Sequence, residues 1–241
     1  MDISIVTLFP EMFTGPFDHS IVKRAAAKNL ITITYIPIRN FASDSYKTVD
    51  DRPYGGGHGM VLRVDVVDRA IEYAKANNPK PAHTVLLDPQ GTPYCQKHAE
   101  DLTAYDHLIL ICGHYEGIDE RIRSLVDEEI SIGDYVLTGG ELASMVLVDS
   151  VVRLLPGVLK KEEATAQESF SQPQSLLEYP QYTRPEVYKN MNVPTELLSG
   201  NHKEIAKWKK QKSLERTRSR RPDLLTKKLL LKEQTDPRGI Q

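Results

Sequence analysis

Three times this chain runs from a short apolar stretch straight into a glycine-bearing polar turn: "VLLDPQG" (85–91), "LILICGHYEG" (108–117) and "ISIGDYVLTGG" (130–140). A short apolar run bounded by turn residues reads as a strand buried on both faces. Such strands belong to parallel sheets covered by helices on either side. The rest of the first 160 residues alternates in the same way. "ISIVTLF" (3–9), "LITITYIPI" (30–38), "HTVLLDP" (83–89) and "HLILICG" (107–113) read as strands, and "DEEISIGDYVL" (127–137) holds one or two more. Helical spacing marks "HSIVKRAAAKN" (19–29, with Ser20 as a cap), "VDVVDRAIEYAKANN" (64–78), "QKHAEDLTA" (96–104), "GIDERIRSLV" (117–126) and an apolar helix from Gly139 that stops before Pro156. Residues 42–60 form a long polar, glycine-rich loop, which in a compact domain is functional or disordered. The predicted class is α/β with a mainly parallel sheet.

The stretch 158–181 is polar and aperiodic, contains Pro173 and Pro180, and reads as a linker. Beyond it the strand signal stops. "HKEIAKWKKQKSLERTRSRRPDLLTKKLLLKE" (202–233) is helical with a break at Pro222. The organisation expected is an α/β domain over 1–160, a flexible linker over 161–178 and a small all-α domain over 179–241. Charge divides along the same line. Residues 200–241 carry 13 Lys and Arg against 5 Asp and Glu, whereas the remainder carries 18 against 28. A basic tail on an acidic body is either a nucleic-acid surface or a solvated helical face, and charge alone does not choose. No apolar run approaches the roughly 18 residues that a membrane span needs. The start, "MDISIVTLFPEMF", has no basic segment before its apolar run and reads as a first strand, not a signal peptide. Two cysteines, Cys95 and Cys112, without metal-ligand spacing fit a reduced, cytoplasmic protein.

A glycine loop that opens onto a helix suggests a phosphate cradle. From Gly133 the chain reads "GDYVLTGGEL", with Glu141 where a phosphate loop needs its lysine, and "RPYGGGHGM" (52–60) lacks that lysine too. A dinucleotide fingerprint is also absent. The glycines therefore either form tight turns or let backbone approach a flat heterocycle closely. Three strand ends converging on one pocket, with Asp88, Glu116, Asp119 and Asp134 near it, suit a cationic or adenosine-bearing ligand better than a phosphate.

The residues then become specific. "LFPEMF", "VDDRPYGGGHGM", "CGHYEGIDER", "SIGDYVLTGGE", "PGVL", "YPQYTRPEVY" and "HKEIAKWKKQKSLERTRSRRPDLL" follow one another through nearly the whole chain. In these stretches it resembles the bacterial tRNA (guanine-N1)-methyltransferase family TrmD, of the SPOUT superfamily. The resemblance implies a deep trefoil knot in the α/β domain, although general topology rules disfavour knots. It implies that three knot loops hold S-adenosyl-L-methionine: Leu86, Leu87 and Pro89 from the first, Gly113, Tyr115 and Glu116 from the second. The third contributes Ser131, Ile132, Gly133, Asp134, Tyr135, Val136 and Leu137, with Gly139 and Gly140 turning into the helix. It further implies a homodimer with sites at the interface, and a tRNA substrate with G at positions 36 and 37, methylated at N1 of the second.

That chemistry needs a carboxylate to take the N1 proton and a cation beside O6. By resemblance these are Glu168, in "ESF" where the family carries aspartate, and Arg153. From the residues alone, Arg153 also reads as a partner of Asp149, and Glu168 as a solvated linker residue with Glu162 and Glu163 close by. Asp50, Arg52 and Gly59 fall on the substrate side, with His58 where relatives commonly have proline. Lys207, Arg216 and Arg220, with their basic neighbours, supply phosphate contacts, and the spacing of Trp208 fits packing better than base stacking. The resemblance admits Mg²⁺ as an assistant, but the sequence shows no metal-ligand cluster. Two rivals stay open: another SPOUT methylase with a different target nucleoside, and a non-catalytic RNA-binding relative.

Overall fold

The fold is described from a computed structural model, over residues 1–160, 165, 168–171 and 175–225. Contacts divide the chain into two units, Met1–Glu162 and Glu163–Gln241. In the first, the elements are β1 (Asp2–Thr7), α1 (Ser20–Ala27), β2 (Thr32–Pro37), β3 (Asp50–Asp51), β4 (Val61–Leu62), α2 (Val64–Ala76), β5 (Ala82–Pro93), α3 (Gln96–Leu102), β6 (His107–Cys112), β7 (Glu128–Ser131) and α4 (Glu141–Val152). Five strands form one parallel sheet in the order β2-β1-β6-β5-β7. β3 and β4 pair separately as a small antiparallel ladder, within and just beyond the stretch expected to be all loop.

The apolar runs are continuous because both faces of the sheet are covered. Side chains alternate along a strand. Thus Ile3, Ile5, Val85, Leu87, Leu108, Leu110 and Cys112 join one core with α1, α3 and α4. Val6, Leu86, Ile109 and Ile111 join a second core with Val66, Val67, Ala70, Ile71 and Ala74 of α2. The sheet is the middle layer of three.

Several local expectations change. Ser20 does not cap α1: His19 occupies the cap position without a side-chain bond, and Ser20 begins the helix at φ +53°. The "GIDERIRSLV" stretch forms a 3₁₀ turn, Glu120–Leu125, and not an α-helix; Asp119 caps it by accepting from the Arg121 amide at 3.0 Å. The region 127–137 yields one strand, β7, and α4 ends at Val152.

The second unit contains a short hairpin, β8 (Val187–Tyr188) with β9 (Met191–Asn192), then α5 (Thr195–Leu198) and α6 (His202–Arg220). The hairpin has no β-periodicity to announce it. Trp208 is buried and its ring lies 6.3 Å from that of Tyr182, so it packs. Part of the aperiodic stretch is tied to α6. The Leu177 amide donates to Thr217 Oγ1 at 3.0 Å, Ser213 Oγ donates to the Leu177 carbonyl at 2.6 Å, and Arg216 donates to the Glu178 carbonyl at 3.1 Å. Glu162, Glu163 and the helix expected beyond residue 225 lie outside the described residues. No helix among the described residues is long and apolar enough to cross a membrane.

Packing between neighbouring backbones is tightest at Gly91. β5 pairs with β7 through Leu87, leaves the ladder over 88–91, and resumes it at Thr92. A Cβ on Gly91 would sit 2.5 Å from the Ile130 nitrogen. Gly91→Ala is expected to destabilise the first unit by about 1–3 kcal/mol, the usual cost of overpacking. Urea denaturation of the variant beside the parent chain measures it.

Candidate functional site

Parallel strands end together, so their C-terminal loops share one rim, where ligands of open α/β sheets bind. Here the loops after the main run of β5, after β6 and after β7 enclose a cleft of about 340 Å³. That volume falls at the small end of small-molecule sites. Of the residues singled out from sequence, Leu87 and Pro89 line it from the first loop, and Gly113, Tyr115 and Glu116 from the second. Ser131, Ile132, Gly133, Tyr135, Val136, Leu137, Gly139 and Gly140 line it from the third.

Two expected residues do not. Leu86 is fully buried in the opposite core, because it alternates with Leu87 along β5. Asp134 is exposed and outside the lining. Nor does the Asp119 carboxylate face the cleft: Arg121 bonds it at 2.8 and 2.6 Å and holds it below the usual carboxylate range.

The glycines have separate reasons. Gly140 passes beside the second loop, its amide donating to the Gly113 carbonyl at 2.8 Å, and a Cβ there would meet Cys112 Cα at 2.7 Å. Gly133 adopts φ +151° beneath the Tyr135 ring, whose hydroxyl donates to the Ile132 carbonyl at 3.2 Å. Close-set backbone suits a flat heterocycle, Leu87, Ile132 and Leu137 offer apolar contact, and Glu116 puts on the rim a carboxylate outside the ion pairs of Asp88 and Glu120 with Arg123. An adenosine-bearing cation therefore fits the donor set better than an anion does.

Sequence reading missed Arg123. It lines the cleft with only 18 % of its side chain exposed. It holds Asp88 at 3.5 Å, Glu120 at 2.9 Å and Glu129, tying the first loop to β7. Glu120 lies three residues earlier on the same turn, but no local periodicity marks the other two partners, Asp88 and Glu129, which come from other segments.

The loop before α2, expected from sequence on the substrate side, reaches the same rim. The Glu116 amide donates to the Met60 carbonyl at 3.1 Å, and the Leu62 amide to the Gly117 carbonyl at 3.1 Å. A Cβ on Gly59, at φ +76°, would lie 2.2 Å from Glu116 Cγ. Asp50 stands in β3 opposite Leu62, and Arg52 follows that ladder, exposed. Arg153 caps the C-terminus of α4, and Glu168 belongs to the second unit, where its carbonyl accepts from the Ser171 amide at 3.2 Å. On α6, Lys207 and Arg220 are exposed, whereas Arg216 holds the 178 stretch. Among the described residues, no group of three or more His, Cys, Asp or Glu side chains is placed to hold a metal ion.

Residues 1–227 match the family model described as tRNA (Guanine-1)-methyltransferase TrmD. A protein of Carboxydothermus hydrogenoformans named tRNA (guanine-N(1)-)-methyltransferase is 55 % identical over 235 residues, 97 % of this chain and 91 % of that one. One of the same name from Geobacillus kaustophilus is 57 % identical over 226 residues, 93 % and 91 % of the two chains. Another, from Dictyoglomus turgidum, is 51 % identical over 231 residues, covering 96 % and 92 %.

Removing the Arg123 charge leaves three carboxylates facing one another around the first loop. Arg123→Gln is expected to cost about 3 kcal/mol of stability, as breaking a largely buried ion pair does, with chemical denaturation as the measurement.

Proposed function

We propose, for a chain that belongs to the tRNA (guanine-1)-methyltransferase family TrmD, that it methylates N1 of the guanosine at tRNA position 37 when position 36 is also G. The observation that carries this reading is the shared rim. The loop bearing Asp50, Arg52 and Gly59 is hydrogen-bonded to the loop bearing Tyr115 and Glu116, so a target base and a methyl donor would meet there. S-adenosyl-L-methionine supplies a methyl group on a sulfonium, which makes it an electrophile.

N1 of guanine carries a proton and has no free in-plane lone pair. As the N1–C bond forms and the S–C bond breaks, that proton must leave, and negative charge spreads onto O6. Glu168 takes the proton, and Arg153 stabilises the charge at O6 and orients the base. The target base leaves the stack so that N1 becomes accessible. On α6 the exposed Lys203, Lys207, Lys210 and Arg218 fall on one stripe, at spacings of four, three and eight residues. Such a stripe gives salt-dependent phosphate contact without sequence choice, which leaves selection of the guanine to the site.

The protein works in the cytoplasm as a homodimer, with the site completed across the interface. An uncovered apolar face supports the dimer: Leu142 and Val146 of α4 are 48 % and 46 % exposed, and α4 packs against the 3₁₀ turn carrying the 40 % exposed Met12. The three loops of the cleft, crossing with backbone against backbone, are the stretch in which the family's knot would lie. Assays with and without a chelator test whether Mg²⁺ assists.

Transfer from labelled S-adenosylmethionine is expected to unmodified tRNA with G36–G37, and to fall at least about tenfold with A36–G37, a difference of about 1.4 kcal/mol. Absence of transfer to both would favour a non-catalytic RNA-binding relative, and product at another nucleoside a different methylase. Glu168→Gln is expected to lower kcat by about 10²–10⁴ while cofactor binding persists. If Glu163→Gln alone did so, the base would be Glu163.

A further inference from the structure

A buried polar circuit, which reaches the cleft lining at His114, takes no part in the chemistry above. Glu141, the first residue of α4, is 1 % exposed. Its Oε1 accepts from Thr7 Oγ1 at 2.8 Å, and Thr7 Oγ1 in turn accepts from the Phe9 amide at 3.0 Å. The other carboxylate oxygen, Oε2, has no hydrogen-bond partner. It points at Nδ1 of His114, which is also buried and without a partner. The two atoms are 3.9 Å apart, too far for a hydrogen bond and near enough for one after a shift of about 1 Å.

The setting is built for this approach. His114 is the second residue of the loop that carries Tyr115 and Glu116. Its ring packs on Phe9, with centroids 5.0 Å apart, and edge-on to Tyr115 at 4.9 Å. Gly139 bridges its backbone to His114, and its lack of a side chain leaves open the space between the two orphan atoms. A Cβ on Gly139 would stand 2.4 Å from Glu141 Oε2 and 2.5 Å from His114 Nδ1. Two buried polar atoms left unpaired each cost free energy, and a single bond between them removes both penalties.

We propose that Glu141 is a positioning residue for the cofactor loop: when the cleft is filled, His114 Nδ1–H donates to Glu141 Oε2 and fixes residues 113–117 against α4. Thr7 anchors the other oxygen, so the bond ties the end of β1, the start of α4 and the loop after β6 into one unit. Neither Glu141 nor Thr7 touches the ligand; they act through His114. The inference rests on the reading that the cleft takes S-adenosylmethionine.

Calorimetric titration with S-adenosylhomocysteine, the expected product, tests it on four variants. His114→Phe keeps the ring on Phe9 and removes the donor, and Glu141→Gln replaces the acceptor. Each should weaken binding about tenfold, the scale of a hydrogen bond to a charged group. The double variant should bind no worse than the weaker single one, because both lose the same bond. His114→Asn, whose amide nitrogen overlays Nδ1, should restore binding. Amide hydrogen exchange over 113–117 should slow on ligand addition in the parent chain and not in His114→Phe. Undiminished binding by His114→Phe, or losses that multiply in the double variant, overturns the proposal whether or not Glu141→Gln folds. Absence of binding by the parent chain overturns the cofactor reading as well, and so separates the two failures.

Discussion

The architecture depends on backbone meeting backbone where side chains would ordinarily stand. Gly140 lies against Cys112 and Gly113, and Gly91 lies against Ile130. These two contacts bring three segments, far apart in sequence, to one rim of the parallel sheet. Each contact excludes a Cβ and so holds the two backbones closer than side chains would allow. A cleft of about 340 Å³ between three loops follows from that crowding.

Crowding creates an electrostatic problem, which charges placed elsewhere answer. Asp88, Glu120 and Glu129 converge under the first loop, and one guanidinium, that of Arg123, satisfies all three. Burial, with the Glu141 charge beside it, pushes the Cys112 thiol well above its usual range, so this cysteine behaves as a small core side chain. The rim keeps Glu116, a carboxylate that Arg123 does not pair, and its lining has no lysine, which separates it from phosphate-binding loops. In the second unit the positive charge is divided: Lys209 lies over the Tyr179 ring at 4.4 Å and Arg216 holds the Glu178 carbonyl, while Lys207 and Lys210 stay in solvent.

Much of this was legible in the chain. The apolar runs at 3–9, 83–89 and 107–113 became β1, β5 and β6, because full burial on two faces leaves no alternation to misread. Thirteen of the fifteen residues expected to surround a cofactor line one cleft. The two that do not, Leu86 and Asp134, fail for a shared reason: a motif names consecutive residues, whereas pleat and turn geometry send alternate side chains elsewhere. The 3₁₀ turn at Glu120–Leu125 was misread as a helix because "GIDERIRSLV" has helical spacing, and its Asp119 cap is not a periodic signal. The hairpin of β8 and β9 rests on two residue pairs, too few for any period.

What the sequence determined by itself was the order of the main strands and helices of the first unit and the parallel class. These depend on local propensity and on which residues avoid water, and both are written in consecutive letters. Only the tertiary structure decided which groups meet: Arg123 with three carboxylates, Gly59 beneath Glu116, and His114 facing Glu141 across Gly139. Such meetings depend on distances set by sheet order and by backbone contact between remote segments. A 3.9 Å gap between two buried atoms, 27 residues apart in the chain, has no trace in the spacing of the residues that form it.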